Sequence, residues 1–179
     1  SHRVLCIDLK KNKGQSLAIF SGINSSKYEC IVTIDADLQN NSKDISKLVD
    51  LFYDYEYSLV GGIRYNRKDT FIKKISSIIA NYIRSSMLND GCIDTGCSLK
   101  AFKKSVFIQF PFFDGMHRFL PALFRGYGEK TYFVDVDHRP RVYGVSKYGT
   151  FLRMIKGIRD IVKVLIIIQK YKKYERNND

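Results

Sequence analysis

The chain has 179 residues, of which 45% are hydrophobic and 13% aromatic, and its formal net charge is +12. This apolar fraction excludes a disordered basic tail and predicts one compact domain with a sizeable core. The excess of positive charge indicates contact with a polyanion, a class that includes nucleic acid, anionic membranes and phosphorylated substrates.

The charge is distributed unevenly along the chain. Residues 1–62 carry 7 basic and 8 acidic groups, residues 63–149 carry 15 and 7, and residues 150–179 carry 8 and 3. The first third is therefore almost neutral, whereas the remainder presents a basic surface.

Taken in chain order, short apolar runs rich in β-branched residues alternate with stretches of helical period, which predicts an α/β fold with a parallel sheet covered by helices. The predicted strands cover 4–9, 30–34, 57–62, 98–102 and 131–137. The predicted helices cover 14–26, 45–52, 71–83, 119–126 and the tail from 148 onward. Because the chain begins in what reads as the second strand of such a sheet, we expect its first strand to be missing.

The four cysteines show no spacing typical of a metal finger, and two of them, Cys6 and Cys30, lie in apolar runs. We therefore expect buried, reduced thiols and a cytoplasmic location. The longest uninterrupted apolar run, Val164 to Ile168, is far shorter than the roughly 18 residues of a spanning helix. The sequence thus predicts a protein that is soluble or peripheral to a membrane.

The sharpest local signal is Asp35-Ala36-Asp37-Leu38-Gln39, directly after the predicted strand at 30–34. Ligands bind beyond the carboxyl ends of strands in open α/β sheets. Two carboxylates separated by one residue can share a divalent cation that neutralises a diphosphate, and the Gln39 amide oxygen is a further hard ligand on the same side. The alternative is a loop with capping aspartates.

Basic residues follow two other predicted strands. Arg64 and Arg67 come after Gly61-Gly62, where paired N–H donors could hold phosphate oxygens or simply lie in a solvated turn. After the strand at 131–137, one short segment combines cations, a hydroxyl and a flexible glycine, a composition that suits a loop closing over phosphate. Its candidate binding residues are Arg139, Arg141, Ser146 and Lys147.

The tail at 149–179 reads as one long helix with apolar residues on one side and basic residues around much of the rest. Such a helix is typical of one lying in a membrane interface against anionic headgroups. The alternative, a helix that packs on the domain and exposes a solvated basic face, remains open.

Several motifs, taken in order, resemble the family-two glycosyltransferases of the polyprenyl-phosphate type, the dolichol-phosphate mannosyltransferase-like group. The resemblance spans roughly residues 3–165. Its motifs are Asn12-Lys13-Gly14-Gln15-Ser16, Asp35-Ala36-Asp37-Leu38-Gln39, Gly62-Ile63-Arg64, Asp94-Thr95-Gly96-Cys97, Asp114-Gly115-Met116-His117-Arg118, His138-Arg139-Pro140-Arg141 and Tyr143-Gly144-Val145-Ser146-Lys147.

The resemblance implies a GT-A fold, a Rossmann-like and mostly parallel sheet flanked by helices, with a nucleotide-sugar donor and a Mg²⁺ or Mn²⁺ cofactor. Asp37 and Gln39 would ligate the metal, and Asp35 would support the metal shell or contact the nucleotide. The implied substrate-binding residues are Asp35, Arg64, Arg67, Arg139, Arg141, Ser146 and Lys147. The implied catalytic residues are Arg64 beside the acceptor phosphate, Arg141 on the donor diphosphate and Asp94 orienting the sugar or acceptor.

From the resemblance we expect transfer of a hexose, from a donor of the GDP-mannose or UDP-glucose type, to a polyprenyl phosphate at the cytoplasmic face of a membrane. Residues 1–148 would form the N-terminally truncated GT-A domain, and residues 149–179 the amphipathic helix. Ser76-Ser77-Ile78 stands where several mannosyl-transferring relatives carry an arginine, which disfavours mannose. The alternatives are a saccharide acceptor or a basic module that binds nucleic acid or membrane without catalysis.

Overall fold

The computed structural model describes residues 4–65, 81–139 and 150–178, with the side chains of the last range described from residue 156 onward. The strands are β1 (Cys30–Thr33), β2 (Leu59–Arg64), β3 (Lys100–Lys103) and β4 (Thr131–Val136). The helices are α1 (Gln15–Ser25), α2 (Asp44–Asp54), α3 (81–88), α4 (Lys104–Phe107), α5 (Leu120–Gly126) and α6 (Thr150–Asn178), with a 3₁₀ turn at Met116–Arg118.

The four described strands form one sheet in the order β1-β3-β2-β4. β3 is antiparallel to both of its neighbours, β1 and β2, while β2 is parallel to β4. β1, β2 and β4 therefore run in one direction, and their carboxyl ends meet at the same edge of the sheet. The predicted class, a mostly parallel sheet flanked by helices, is confirmed, with β3 as the described strand that runs against the others.

Apolar side chains cover both faces of the sheet, because β2 is buried on each side. On one face, the smaller cluster packs α2 against the sheet through Leu48, Phe52, Val60, Leu99, Ala101 and Val136. On the other face, the larger cluster includes Leu59, Phe102, Phe107, Leu120, Leu123 and Phe124. The parallel contact of β2 with β4 is close at Gly62, where an added Cβ would lie 2.8 Å from Val136 Cγ2.

Helix α6 packs on the body of the domain. Ile161, Val164 and Ile168 belong to the larger core cluster, and α6 approaches α5 so closely that a Cβ at Gly126 would lie 2.5 Å from Ile168. In the parts of the chain that the structure describes, no helix is both long and apolar enough to cross a bilayer.

One predicted strand is wrong: residues 4–9 form no strand, and Val4 and Leu5 are 93% and 70% exposed. An apolar run becomes a strand only when a neighbouring strand takes up its hydrogen bonds, and among the described residues this segment has none. The predicted burial of Cys6 fails for the same reason. All four cysteines are free thiols, and Cys92 and Cys97 are buried.

Candidate active site

The loop that follows β1 carries the two predicted carboxylates at the carboxyl edge of the sheet. The Asp35 amide donates a hydrogen bond to Ser98 Oγ (3.1 Å), and Gln15 Nε2 at the start of α1 donates to Asp35 Oδ1 (2.9 Å). Asn40 Nδ2, at the far end of the loop, donates to the same Ser98 hydroxyl oxygen (3.0 Å). Ser98 therefore ties both ends of the loop to the segment that leads into β3.

The second half of this loop is joined to the end of β4. The Gln39 amide donates to Asp37 Oδ1 (3.2 Å), and Gln39 Nε2 donates to the Arg139 carbonyl oxygen (3.2 Å). The Arg139 amide in turn donates to the Gln39 carbonyl oxygen (2.8 Å), and His138 Nε2 lies 3.5 Å from Gln39 Nε2. The structure thus places Asp35, Asp37 and Gln39 on one loop and joins this loop to the backbone of Arg139.

The chemistry of this loop fits a divalent cation that is shared with a diphosphate. Within residues 4–65, 81–139 and 150–178, no group of three or more His, Cys, Asp or Glu side chains is arranged to hold a metal ion. Mg²⁺, however, is usually bound by only one or two protein carboxylates, and substrate phosphates and water complete its shell. Asp35 and Asp37 supply two carboxylates, and the hydrogen bond from Gln39 Nε2 leaves the amide oxygen of that side chain as a further hard ligand.

Arg64 at the end of β2 forms a two-point ion pair with Asp94. Its Nε and Nη2 donate to the two Asp94 carboxylate oxygens at 2.7 and 2.6 Å, and its backbone amide donates to Oδ2 at 3.1 Å. A Cβ at Gly96 would lie 2.8 Å from Arg64 Nη2, so a glycine at this position makes room for the guanidinium. The two parallel hydrogen bonds between planar groups hold the Arg64 guanidinium in one orientation.

A cleft of about 550 Å³ opens between α1, β1 and the segment that precedes β3. Its polar wall includes Gln15, Asp35, Ser98, Lys100, His117 and Arg118, and its apolar wall includes Ile19, Ile23 and Ile31. The proposed cation ligand Asp35 therefore shares a cleft with three basic side chains that lie far from it in the sequence.

Lys100 is the most deeply buried of these basic side chains. Its ammonium donates hydrogen bonds to the carbonyl oxygens of Cys97 and Thr95, and burial lowers the pKa of Lys100. Burial also raises the pKa of the neighbouring Cys92 thiol to about 11, so this thiol stays protonated at neutral pH. Lys100 thereby holds the turn that presents Asp94 and Ser98.

The 3₁₀ turn places His117 and Arg118 in the cleft. His117 Nδ1 lies 2.7 Å from Ser16 Oγ, and burial, reinforced by the charges of Arg118 and Lys100, lowers the pKa of His117 to about 4. Arg118 Nη2 donates to Asp160 Oδ2 of α6 at 2.8 Å. The imidazole is therefore neutral at pH 7, whereas the guanidinium is paired with a buried carboxylate.

Four of the predicted site residues, Arg67, Arg141, Ser146 and Lys147, lie outside the described residues. Conversely, four residues that position other side chains in the structure were not among the predicted site residues: Gln15, Ser16, Ser98 and Asp160. Gln15 and Ser16 stand in the Asn12-Lys13-Gly14-Gln15-Ser16 motif, which was a usable signal. Ser98 and Asp160 act only across long sequence separations.

The sequence model described as Glycosyl transferase family 2 matches residues 1–110, and the chain belongs to this family.

Two relatives in particular show how similar this chain is to enzymes named for polyprenyl phosphates. It is 37% identical to dodecaprenyl-phosphate galacturonate synthase of Rhizobium johnstonii over 166 residues, which cover 91% of this chain and 49% of the relative. It is 33% identical to undecaprenyl-phosphate 4-deoxy-4-formamido-L-arabinose transferase of Edwardsiella ictaluri over 163 residues, 91% of this chain and 50% of that protein. The chain thus spans about half the length of these relatives.

Solved structures show the same fold at low sequence identity. Glucosyl-3-phosphoglycerate synthase of Mycobacterium tuberculosis, crystallised with Mn²⁺, UDP-glucose and glycerol 3-phosphate, matches with a TM-score of 0.60 and 14% identity over 88% of this chain and 55% of that chain. Mannosyl-3-phosphoglycerate synthase of Rubrobacter xylanophilus matches with a TM-score of 0.58 and 12% identity, over 91% of this chain and 52% of that chain. The fold of this chain is GT-A.

Proposed function

We propose that the chain carries the catalytic site of an enzyme that transfers a sugar, a hexose or a similar unit, from a nucleotide sugar to a polyprenyl phosphate. The observation that carries this proposal is the Asp35-Ala36-Asp37 loop, pinned beside a cleft by Gln15 and Ser98. The two relatives described above are named for different sugars but for the same kind of lipid phosphate. Their likeness therefore supports the acceptor class more strongly than any one sugar.

In the proposed reaction, an oxygen of the lipid phosphate attacks the anomeric carbon of the donor sugar. A new carbon–oxygen bond forms while the bond from that carbon to the nucleoside diphosphate breaks, and the diphosphate leaves with the electron pair. A phosphate monoester is largely ionised at pH 7, since its second pKa is about 6. No strong general base is needed, and the protein's task is to hold two anions together and to stabilise the leaving group.

The proposed roles follow the geometry of the two clusters. Asp35, Asp37 and Gln39 would hold Mg²⁺ or Mn²⁺, which, when bound, offsets the charge of the leaving diphosphate. Arg64 would contact the acceptor phosphate, and Asp94 would orient Arg64, because both Asp94 oxygens accept hydrogen bonds from it. The other cations and the hydroxyl assigned to substrate phosphates are Arg67, Arg139, Arg141, Ser146 and Lys147.

We also propose that α6 lies on an anionic membrane surface, where the acceptor resides. Ile158, Val162 and Ile166 are 52%, 46% and 47% exposed and follow one another at intervals of four residues. This spacing aligns them as a stripe on one face of the helix, while residues such as Val164 face the core. In the proposed division of the chain, residues 1–148 form the catalytic domain and residues 149–179 the amphipathic segment. Helix α6 packs on the core through Ile161, Val164 and Ile168 and turns the exposed stripe toward the membrane.

The experiment incubates the purified protein with labelled nucleotide sugars, Mg²⁺ and either undecaprenyl phosphate or soluble saccharides. Label that enters the organic phase only with the lipid phosphate supports the proposal. Label that enters the soluble saccharides instead would contradict the lipid acceptor and indicate that the enzyme acts on a saccharide acceptor.

A further inference from the structure

Arg118 lines the cleft with a guanidinium group whose N–H donors are only partly used within the protein. One of its nitrogens, Nη2, donates to Asp160, and its side chain is 37% exposed. A guanidinium carries five N–H donors, and no other hydrogen bond from this side chain is found within the described parts of the chain. Most of the donor fork therefore remains open to a ligand in the cleft.

The orientation of this guanidinium is fixed by Asp160 of α6, which is not one of the residues that line the cleft. The Asp160 carboxylate is only 3% exposed, and a buried charge requires a hydrogen-bonded counterion. Gly115 adopts φ +101°, and a Cβ there would lie 2.9 Å from both Arg118 Nη2 and Asp160 Oδ2. The ion pair between the 3₁₀ turn and α6 thus depends on a glycine that leaves space for it.

His117 supplies a second donor next to Arg118. Gly115 N donates to Ser16 Oγ at 2.7 Å, and the Ser16 hydroxyl is buried. Among the described residues His117 Nδ1, 2.7 Å away, is the one acceptor within reach of that hydroxyl, which assigns the hydroxyl proton to this hydrogen bond. A neutral imidazole that accepts at Nδ1 carries its proton on Nε2. In the described residues Nε2 has no hydrogen-bond partner, and His117 lines the cleft.

A guanidinium fork beside a neutral N–H donor is a donor set that matches phosphate oxygens. We propose that Arg118 and His117 form a binding subsite for a phosphate group of a substrate, with Asp160 of α6 and Ser16 of α1 as the positioning residues. The identity of that substrate rests on the proposed function. The phosphate belongs to the acceptor monoester or to the donor diphosphate, and the Asp35 loop lies in the same cleft to receive the other anion.

The test measures binding without turnover, by calorimetric titration of the purified protein. The probes are geranyl phosphate, a soluble prenyl monoester, and uridine or guanosine diphosphate with Mn²⁺. Arg118→Lys keeps a cation for Asp160 but removes the open fork, and His117→Phe keeps the ring shape but removes both nitrogens. Lys130→Ala, which removes a surface cation just before β4, is the matched control.

We expect Arg118→Lys and His117→Phe each to weaken binding of one probe by about tenfold or more, the effect of losing charge-assisted or buried hydrogen bonds. Loss for geranyl phosphate assigns the subsite to the acceptor, loss for the nucleotide assigns it to the donor, and Lys130→Ala binds both normally.

Unchanged binding of both probes by the two folded variants, or no binding of either probe by the wild type, would overturn the subsite. Binding of geranyl phosphate through Arg118 without transfer to any polyprenyl phosphate would uphold the subsite and defeat the proposed function. Thermal unfolding of each variant establishes that it is folded.

Discussion

Arg64 and Asp94 act as a unit at the end of β2, because the two oxygens of the carboxylate accept from two nitrogens of the guanidinium. In Asp94→Asn one of these acceptors becomes an amide donor, and the charge that holds Arg64 is lost. We expect transfer to fall by roughly tenfold to a hundredfold, with most of the effect in the KM for lipid phosphate.

Steady-state kinetics with each substrate varied in turn measures this split. Asp54→Asn, on the exposed end of α2, is the control. An unchanged KM for the lipid phosphate would contradict the role of Asp94 as the residue that orients Arg64.

His117 makes the stability of the protein depend on pH. Burial lowers the pKa of His117 from 6.5 to about 4. Between these two pH values the unfolded chain is protonated at His117, whereas the folded chain is not. Stability contributed by the neutral imidazole is therefore present above pH 6.5 and is lost as the pH falls toward 4, by on the order of 2 kcal/mol at pH 4.5.

Urea unfolding of the wild type and of His117→Phe at pH 7.0 and 4.5 compares two proteins that have the same carboxylates and differ in the one imidazole. Between pH 7.0 and 4.5 the free energy of unfolding should fall further in the wild type than in His117→Phe, because only the wild type has the imidazole. A difference that does not change with pH would contradict the neutral, buried state of His117.

At the scale of the elements, two glycines should respond oppositely to the same substitution. Gly62→Ala puts a methyl group 2.8 Å from Val136 Cγ2 and 3.0 Å from Cys97 Sγ, which is closer than packed side chains allow. We expect a loss of about 1–3 kcal/mol. Gly157→Ala in α6 meets nothing within 4 Å and should gain up to about 1 kcal/mol from helix propensity.

Urea midpoints and slopes of both variants measure these changes. Unchanged or increased stability of Gly62→Ala would contradict the close contact of β2 with β4, and a clear loss of stability in Gly157→Ala would contradict the open space at that position of α6.

The strands and helices were predictable where a local pattern determines them. The apolar runs of β1, β2 and β4 are continuous and bounded by turns, whereas the direction of β3 is not encoded in its own four residues. Residues 4–9 resemble a strand in isolation, but a strand also needs a neighbour. Local patterns therefore give the type of an element more reliably than its partners.

The same limit applies to the candidate site. The spacing of Asp35, Asp37 and Gln39 is visible in five consecutive residues. Arg118 and Asp160, by contrast, are 42 positions apart, and a buried aspartate on a basic helix carries no local signal. Contacts of this kind depend on how α6 packs, which periodicity alone does not give.

At the scale of the whole molecule, α6 has two faces with different tasks. Replacing its exposed stripe in the triple variant Ile158→Gln, Val162→Gln, Ile166→Gln should leave stability nearly unchanged and weaken vesicle binding by at least about tenfold, since three apolar side chains no longer enter the interface. The measurement is sedimentation with vesicles that contain anionic lipid.

Val164→Ala, on the buried face of the same helix, is the matched control, and it should lower stability while vesicle binding stays intact. Full vesicle binding by the triple variant would contradict a membrane-facing stripe on α6.

The carboxylate loop after β1 should support metal-dependent sugar transfer to a lipid phosphate. The measurement is Mg²⁺-dependent incorporation of labelled sugar into organic-extractable product by wild type, Asp37→Ala and Asp50→Ala, the last removing an exposed carboxylate of α2. We expect Mg²⁺-dependent lipid product from the wild type and from Asp50→Ala, and a loss of at least about a hundredfold in Asp37→Ala. Full, Mg²⁺-dependent activity in Asp37→Ala would contradict a role for this loop in metal-dependent sugar transfer.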